Sequence, residues 1–264
     1  MKFLAQQQPA YVYTGGKDFD IGKPSVVFIH GSANDHSVWT MQARYFAHHG
    51  WNALAVDLPG HGKSFGDAKT SIASIADWLI NLLDNGSIER AALIGHSMGS
   101  LIALDAAARY PSRVSQLALL GSSAPMLVAD VLMEAATNRP AEAFDMLNIW
   151  GHAPQFKWGK NPTPGSSSMM AGLRLLAQSR PGVLACDLAA CQAFQINDAT
   201  LAAIAHPTLV VAGSNDMLTP AKAAYSLAAR LGNATTVTLA DAGHSMMQEA
   251  PGKVVDALKI FLKP

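Results

Sequence analysis

Three short segments of this sequence carry the residues best suited to covalent chemistry: Gly95-His96-Ser97-Met98-Gly99, Gly213-Ser214-Asn215-Asp216 and Asp241-Ala242-Gly243-His244. A serine hydroxyl is a weak nucleophile near neutral pH and needs a base beside it. An imidazole serves as that base when a carboxylate fixes its tautomer and steadies the imidazolium. The residues therefore read as Ser97 the nucleophile, Asp216 the orienting acid and His244 the general base. They follow one another in that order, with separations 216 − 97 = 119 and 244 − 216 = 28.

The glycines around Ser97 have a steric purpose. A strand that turns at once into a helix strains the residue at the turn, and side chains two positions away on either side would clash. The developing oxyanion needs two N–H donors. The Met98 backbone supplies one and the loop after the first apolar run, His30-Gly31-Ser32, supplies the other from Ser32. Asp241 competes with Asp216 for the acid role, but it precedes the histidine on its own loop and reads as structural. The other recurrent place for the acid holds Ser122-Ser123, which offers no carboxylate. His30, His61 and His96 read as loop-ordering residues. Asp57 with His61 reads as a tight turn held by internal hydrogen bonds rather than a metal site, given Pro59, Gly60 and Gly62. Asp35-His36 reads as a turn opening a helix. Gly31, Trp39, Met217 and Ser245 are candidate pocket residues, and Trp39 has core as its alternative.

These residues must be held by elements, and the apolar runs supply them. Val26 to Ile29, Asn52 to Val56, Ala91 to Ile94, Leu117 to Leu120 and Thr208 to Ala212 are short runs of the kind that form strands buried on both faces, and Thr235 to Leu239 alternates. Helical spacing predicts helices at Trp39 to His49, Ile72 to Leu83, Met98 to Arg109, Pro220 to Leu231 and Lys253 to Leu262. Strand and helix in alternation imply an α/β fold with a mostly parallel sheet covered on both faces. Tyr11 to Thr14 adds an antiparallel edge strand, and Gln6 to Gln8 reads as a polar tail. The rhythm breaks over residues 122–205, which are 205 − 122 + 1 = 84 residues without a convincing strand. Their best helices are Val128 to Ala136 and Met169 to Gln178, while Gly151 to Ser168 is too rich in Pro, Gly and Ser for one helix. A segment this long is expected to be a subdomain or lid packed on the core.

Composition narrows the partners. Across 264 residues, 19 Lys plus Arg balance 19 Asp plus Glu, so the chain lacks the basic excess that nucleic-acid binding or a polybasic membrane anchor needs. Only 14% of residues are charged and 50% are apolar, which excludes disorder and implies a large buried core. Cys186 and Cys191 have no metal or redox spacing and read as buried reduced thiols. No apolar run reaches the span of a membrane helix, and the start lacks a signal-peptide stretch, so a cytoplasmic protein is expected. The insertion holds six acids against Arg139, Lys157, Lys160, Arg174 and Arg180, which points to an uncharged or weakly charged substrate.

His30-Gly31-Ser32, Asp57-Leu58-Pro59-Gly60-His61-Gly62-Lys63-Ser64, Gly95-His96-Ser97-Met98-Gly99, Gly213-Ser214-Asn215-Asp216 and Gly243-His244 together resemble the landmarks of the alpha/beta-hydrolase fold superfamily, in order from residue 30 to residue 244. The resemblance implies an eight-stranded, mostly parallel sheet covered by helices, with a helical cap inserted after the sixth strand. Residues 1–121 and 206–264 would form the core and 122–205 the cap. It implies hydrolysis of carboxylic esters or related small acyl compounds through an acyl-enzyme, with no metal and no cofactor. Ser100 stands where many relatives carry a second glycine and is expected to be tolerated. Carbon-carbon bond hydrolases of ring-cleavage products, lactonases and perhydrolases share this machinery. The first of these commonly carry an aromatic residue after the histidine, where this chain has Ser245. A ligand-binding receptor on the same scaffold is the alternative from another class.

Overall fold

Alternation along the short apolar runs is what makes a two-sided sheet. In the run at Val26–Ile29, Val26 and Phe28 pack into one apolar layer and Val27 and Ile29 into the opposite one, all four fully buried. The computed structural model describes residues 2–157, 159, 161 and 165–263. Its eight strands are β1 (Lys2–Ala5), β2 (Gln8–Tyr13), β3 (Ser25–Ile29), β4 (Asn52–Val56), β5 (Ala91–His96), β6 (Val114–Leu120), β7 (Thr208–Gly213) and β8 (Ala234–Leu239). Their spatial order is β1-β2-β4-β3-β5-β6-β7-β8. The β1–β2 and β2–β4 pairings are antiparallel and all others are parallel.

Helices α1 (Thr40–Ala47), α2 (Ile72–Asn85) and α3 (Met98–Arg109) follow β3, β4 and β5. Between β6 and β7 run α4 (Asp130–Asn138), α5 (Pro140–Gly151), α6 (Pro154–Lys157), α7 (Ser168–Leu176), α8 (Val183–Ala193) and α9 (Asp198–Ala202). The chain closes with α10 (Ala221–Arg230), α11 (Met246–Glu249) and α12 (Pro251–Phe261). Side chains of α2, α3 and α10 cover one face of the sheet, and those of α1 and α12 cover the other. Among the described residues, no helix is long and apolar enough to cross a membrane.

The expected α/β architecture is therefore present, with local differences. The Gln6 to Gln8 segment is no tail: Gln6 and Gln7, at φ 50° and 64°, form the tight turn of a β1–β2 hairpin, and the antiparallel strand expected at the edge is β2, which starts at Gln8 and has β1 outside it. Within the insertion, α4 and α7 lie where helical spacing placed them, but α5 and α8 were not foreseen. α8 touches both α3 and α4 and buries Val183, Leu184, Asp187, Leu188, Ala190 and Cys191, so it has no single apolar stripe to read. Cys191 is buried as expected, Cys186 is only half-buried, and both thiols are free.

The insertion has its own small core, built from residues such as Leu132, Ala135, Leu176, Leu184 and Leu188. Ala33, from the loop after β3, belongs to that cluster and joins it to the sheet. Beside it Asp187 Oδ2 accepts the Ala33 N–H at 2.9 Å and a hydrogen bond from His61 Nε2 at 2.8 Å. Burial works against a charge on His61, but the Asp187 carboxylate and the Pro59 carbonyl outweigh it and raise the imidazole pKa. His61 is thus more than an ordering residue of its own turn, because it ties that turn to α8. Arg180 adds donors to the carbonyls of Gly62, Ser64 and Gly66.

Removing one partner of a buried pair typically costs about 3–5 kcal/mol, so Asp187→Ala is expected to lower the unfolding free energy, measured by urea titration, by an amount of that order. A raised folded-state pKa contributes stability that is fully present below the ordinary histidine value and is lost as pH rises through the folded value. Unfolding measured as pH rises from the ordinary histidine value should show this loss in the parent protein and not in His61→Gln.

Candidate active site

Ser97 sits at the junction of β5 and α3 with φ 53° and ψ −121°, a left-handed backbone that a side chain rarely adopts. The turn is possible because the residues two positions away on either side, Gly95 and Gly99, lack side chains. A Cβ on Gly95 would lie 2.1 Å from the Gly99 carbonyl oxygen, and one on Gly99 would lie 2.3 Å from the Ile29 oxygen and 2.6 Å from that of His30. The Ser97 N–H is held by the Leu120 carbonyl at 2.9 Å. Ser100, expected to be a tolerated packing residue, has a further part here: its Oγ lies 2.5 Å from the Ser97 carbonyl and 2.7 Å from Ser122 Oγ.

The second half of the site comes from the loops after β7 and β8. His244 Nδ1–H donates to Asp216 Oδ2 at 2.8 Å, and both side chains are buried. Asp216 also accepts the Leu218 N–H at 2.9 Å, the Thr219 N–H at 2.8 Å and the Thr219 hydroxyl at 2.8 Å. Burial alone would raise the pKa of this carboxyl. The charge and hydrogen bond of His244, with the Thr219 donors, outweigh that and hold it below the ordinary carboxylate value. Asp241 is exposed and takes no part in the pair.

Ser97 and His244 line one cavity of about 250 Å³ beneath the helices of the insertion. Among the described residues no hydrogen bond joins the serine hydroxyl to the imidazole. Such contacts are often long before a substrate is bound. Gly31, Ser32, Met217 and Ser245 line the same cavity. Trp39 does not. It is fully buried with its ring 5.3 Å from that of Phe28, so its place is in the core. Two backbone donors stand near Ser97. Met98 opens α3, so its N–H has no carbonyl one turn behind it, and the Ser32 N–H has no acceptor among the described residues.

His30, His36 and His96 order loops. Burial, then the neighbouring His61, push the pKa of His30 down to about 4. It accepts the Leu58 N–H on Nε2 and donates from Nδ1 to the Gly31 carbonyl. Burial, then His244, bring His96 down to about 3, and its Nε2–H donates to the His244 carbonyl at 2.9 Å. Asp35, His36 and Asp57 lie close enough to share an ion. Their donors and acceptors already serve the turn: Asp57 accepts from the His36 N–H, His36 Nδ1 and the Lys63 N–H, and Asp35 caps the short helix at His36–Trp39. Cys191 lines the cavity, but burial pushes its pKa up to about 12, so it supplies no thiolate.

Several residues of the site lay outside the sequence reading. Thr219 braces Asp216 and lies 3.2 Å from His244 Nδ1, and its signal was the Asp-x-x-Thr spacing of a side-chain-closed turn. Glu249 accepts the Gly243 N–H at 2.6 Å and the Ala153 N–H at 3.2 Å, tying the His244 loop to the insertion. Nothing local in the sequence marks it. Among the described residues no Lys, Arg, Asp or Glu lines the cavity. Arg139, Lys157, Arg174 and Arg180 therefore stay out of its wall, and Lys160 lies outside the described residues.

An open parallel sheet whose strand ends present a serine on a tight strand-to-helix turn and an Asp-His pair is the architecture of one large class of enzymes. The family profile described as the alpha/beta hydrolase fold matches residues 24–251, and the chain belongs to that family. It is 26% identical over 262 residues to the (E)-2-((N-methylformamido)methylene)succinate hydrolase of Acinetobacter baylyi, covering 98% of this chain and 96% of that one. It is 28% identical over 263 residues to the pimeloyl-[acyl-carrier protein] methyl ester esterase of Nitrosomonas europaea, covering 88% of this chain and 93% of the relative. In fold it is similar to the enol-lactonase from Burkholderia xenovorans LB400, with a TM-score of 0.88, 21% identity and 99% of both chains covered.

The backbone around Ser97 leaves no room for a methyl group at position 99. Gly99→Ala is expected to destabilise the protein by about 1–3 kcal/mol, because the atoms it meets are carbonyls of β3 and its loop rather than movable side chains. Urea unfolding of this variant beside Ser100→Ala checks it: the loss at position 99 should be the larger of the two.

Proposed function

We propose that the protein is a serine hydrolase that cleaves carboxylic esters, or closely related acyl bonds, through an acyl-enzyme. The observation that carries this reading is the 2.8 Å His244–Asp216 hydrogen bond beside a strained Ser97 on the wall of the same cavity. Because Nδ1 donates to Asp216, Nε2 is the nitrogen free to take a proton. Ser97 Oγ attacks the ester carbonyl carbon and its proton passes to His244 Nε2. The tetrahedral oxyanion is held by the N–H groups of Ser32 and Met98. Collapse breaks the carbon–oxygen bond to the alcohol, which leaves with the proton from His244. A water then gives its proton to His244 and attacks the acyl carbon, the acid departs, and Ser97 regains its proton. Asp216 stays ionised throughout and steadies the imidazolium.

Residues 122–205 act in this reading as the cap that roofs the cavity and selects the acyl or alcohol group. A volume of about 250 Å³ and an uncharged wall support small to medium neutral substrates. The relative from Acinetobacter baylyi acts, by its name, on a succinate, whereas the described wall of this cavity has no cation to meet a dicarboxylate. The two unpaired thiols support a reducing, cytoplasmic compartment.

Nitrophenyl esters of graded acyl length test the reading. Wild-type protein should give an acyl burst followed by turnover. Ser97→Ala should lower kcat by about 10⁶-fold and Asp216→Asn by about 10⁴-fold, the second through the wrong imidazole tautomer. Absence of hydrolysis by the wild-type protein at high concentration, across esters and lactones alike, would leave the ligand-binding alternative standing.

A further inference from the structure

At the end of α5, Asn148 and the C-cap residue His152 line the cavity and each carries one unmatched acceptor atom. His152 is 2% exposed and Asn148 is 6% exposed. His152 Nδ1–H donates to the Asn148 carbonyl at 2.8 Å. Burial keeps the ring neutral against that carbonyl, so Nε2 carries a bare lone pair. Neither His152 Nε2 nor Asn148 Oδ1 has a hydrogen-bond partner among the described residues. Leaving a buried polar atom unmatched is destabilising, so such a pair on a cavity wall calls for a ligand that answers it.

The two groups converge. A Cβ built on Gly172 of α7 would lie 3.0 Å from Asn148 Oδ1, 3.3 Å from His152 Cε1 and 3.7 Å from Gln248 Oε1. All four of these residues line the cavity that Ser97 and His244 share. The subsite is also close to the His244 loop, because the Ser245 N–H donates to the Gly151 carbonyl at 2.8 Å, one residue before His152. Both unmatched atoms are acceptors. A carboxylate or phosphate would be buried with no described cation on the wall to balance it, and an ammonium with no described carboxylate. A hydroxyl fits, since it donates a hydrogen bond and carries no charge.

We propose that Asn148 and His152 form a specificity subsite that accepts a hydrogen bond from a hydroxyl group of a neutral ester. The substrate class is thus hydroxylated, uncharged acyl esters. The proposal rests on the serine-hydrolase reading given above and sharpens it.

The test compares four propyl-scale esters in a pH-stat: propyl butanoate, propyl 3-hydroxybutanoate, 3-hydroxypropyl butanoate and the monopropyl ester of succinate. With wild-type protein, one of the hydroxylated esters should exceed propyl butanoate in kcat/KM by about 10-fold or more, and the carboxylated ester should be the poorest. In Asn148→Leu and His152→Phe that ratio should fall toward one. Gly172→Ala is the second kind of variant. It keeps both polar groups, improves helix propensity and places a methyl at their meeting point, so it too should lower the ratio. Equal rates for all three neutral esters in the wild type, or a hydroxyl preference that survives in all three variants, overturns the subsite. Failure of the wild type to hydrolyse any ester overturns the hydrolase reading beneath it, which separates the two.

Discussion

The close approach of α3 to β3 is the constraint from which the site is built. The chain reverses from strand to helix within one residue, and that residue, Ser97, holds a positive φ because Gly95 and Gly99 let backbone meet backbone. Propensity does not favour such a turn. It persists because β5 lies in the middle of the sheet, paired with β3 and β6, and because α3 is buried over nearly its whole length. The core thus over-determines a strained backbone, and the strain lifts one hydroxyl out at the strand ends.

Around that fixed point, buried carboxylates do the work of holding loops. Asp57 gathers the turn at His36 and Lys63, Asp216 the loop after β7, Glu249 the His244 loop and Asp187 the loop at Ala33. Each accepts backbone N–H groups that loops cannot satisfy within themselves. Two of the four, Asp187 and Glu249, do so between the insertion and the sheet. The insertion is therefore fastened by its polar groups to the loops that carry Ser32 and His244, so the shape of the cavity and the setting of its reactive groups are linked.

Much of the fold was legible because its signals are local. Short apolar runs bounded by glycine, helical spacing and the short motifs that hold Ser97, Asp216 and His244 are each properties of neighbouring residues. What failed to show is what depends on distant partners. α8 is apolar on several sides because other helices surround it, so its periodicity is blurred. Gln6 and Gln7 turn a hairpin without the glycine or asparagine that usually marks one. Trp39 stands next to a loop that lines the cavity yet turns into the core against Phe28, a choice made by packing.

By itself the sequence determined the strand-to-helix alternation, the strained serine turn and the chemistry available at three strand ends. These follow from steric rules and side-chain reactivity, which act over a few residues. Only the tertiary structure decided that His61 reaches Asp187 as well as its own turn, that Thr219 and Glu249 hold the loops of the site, and that the cavity wall pairs apolar surface with the unmatched Asn148 and His152. Hydrogen bonding and burial are set by which groups meet across 25 to 126 positions of chain, as His244–Thr219 and His61–Asp187 do, and no local pattern encodes that meeting.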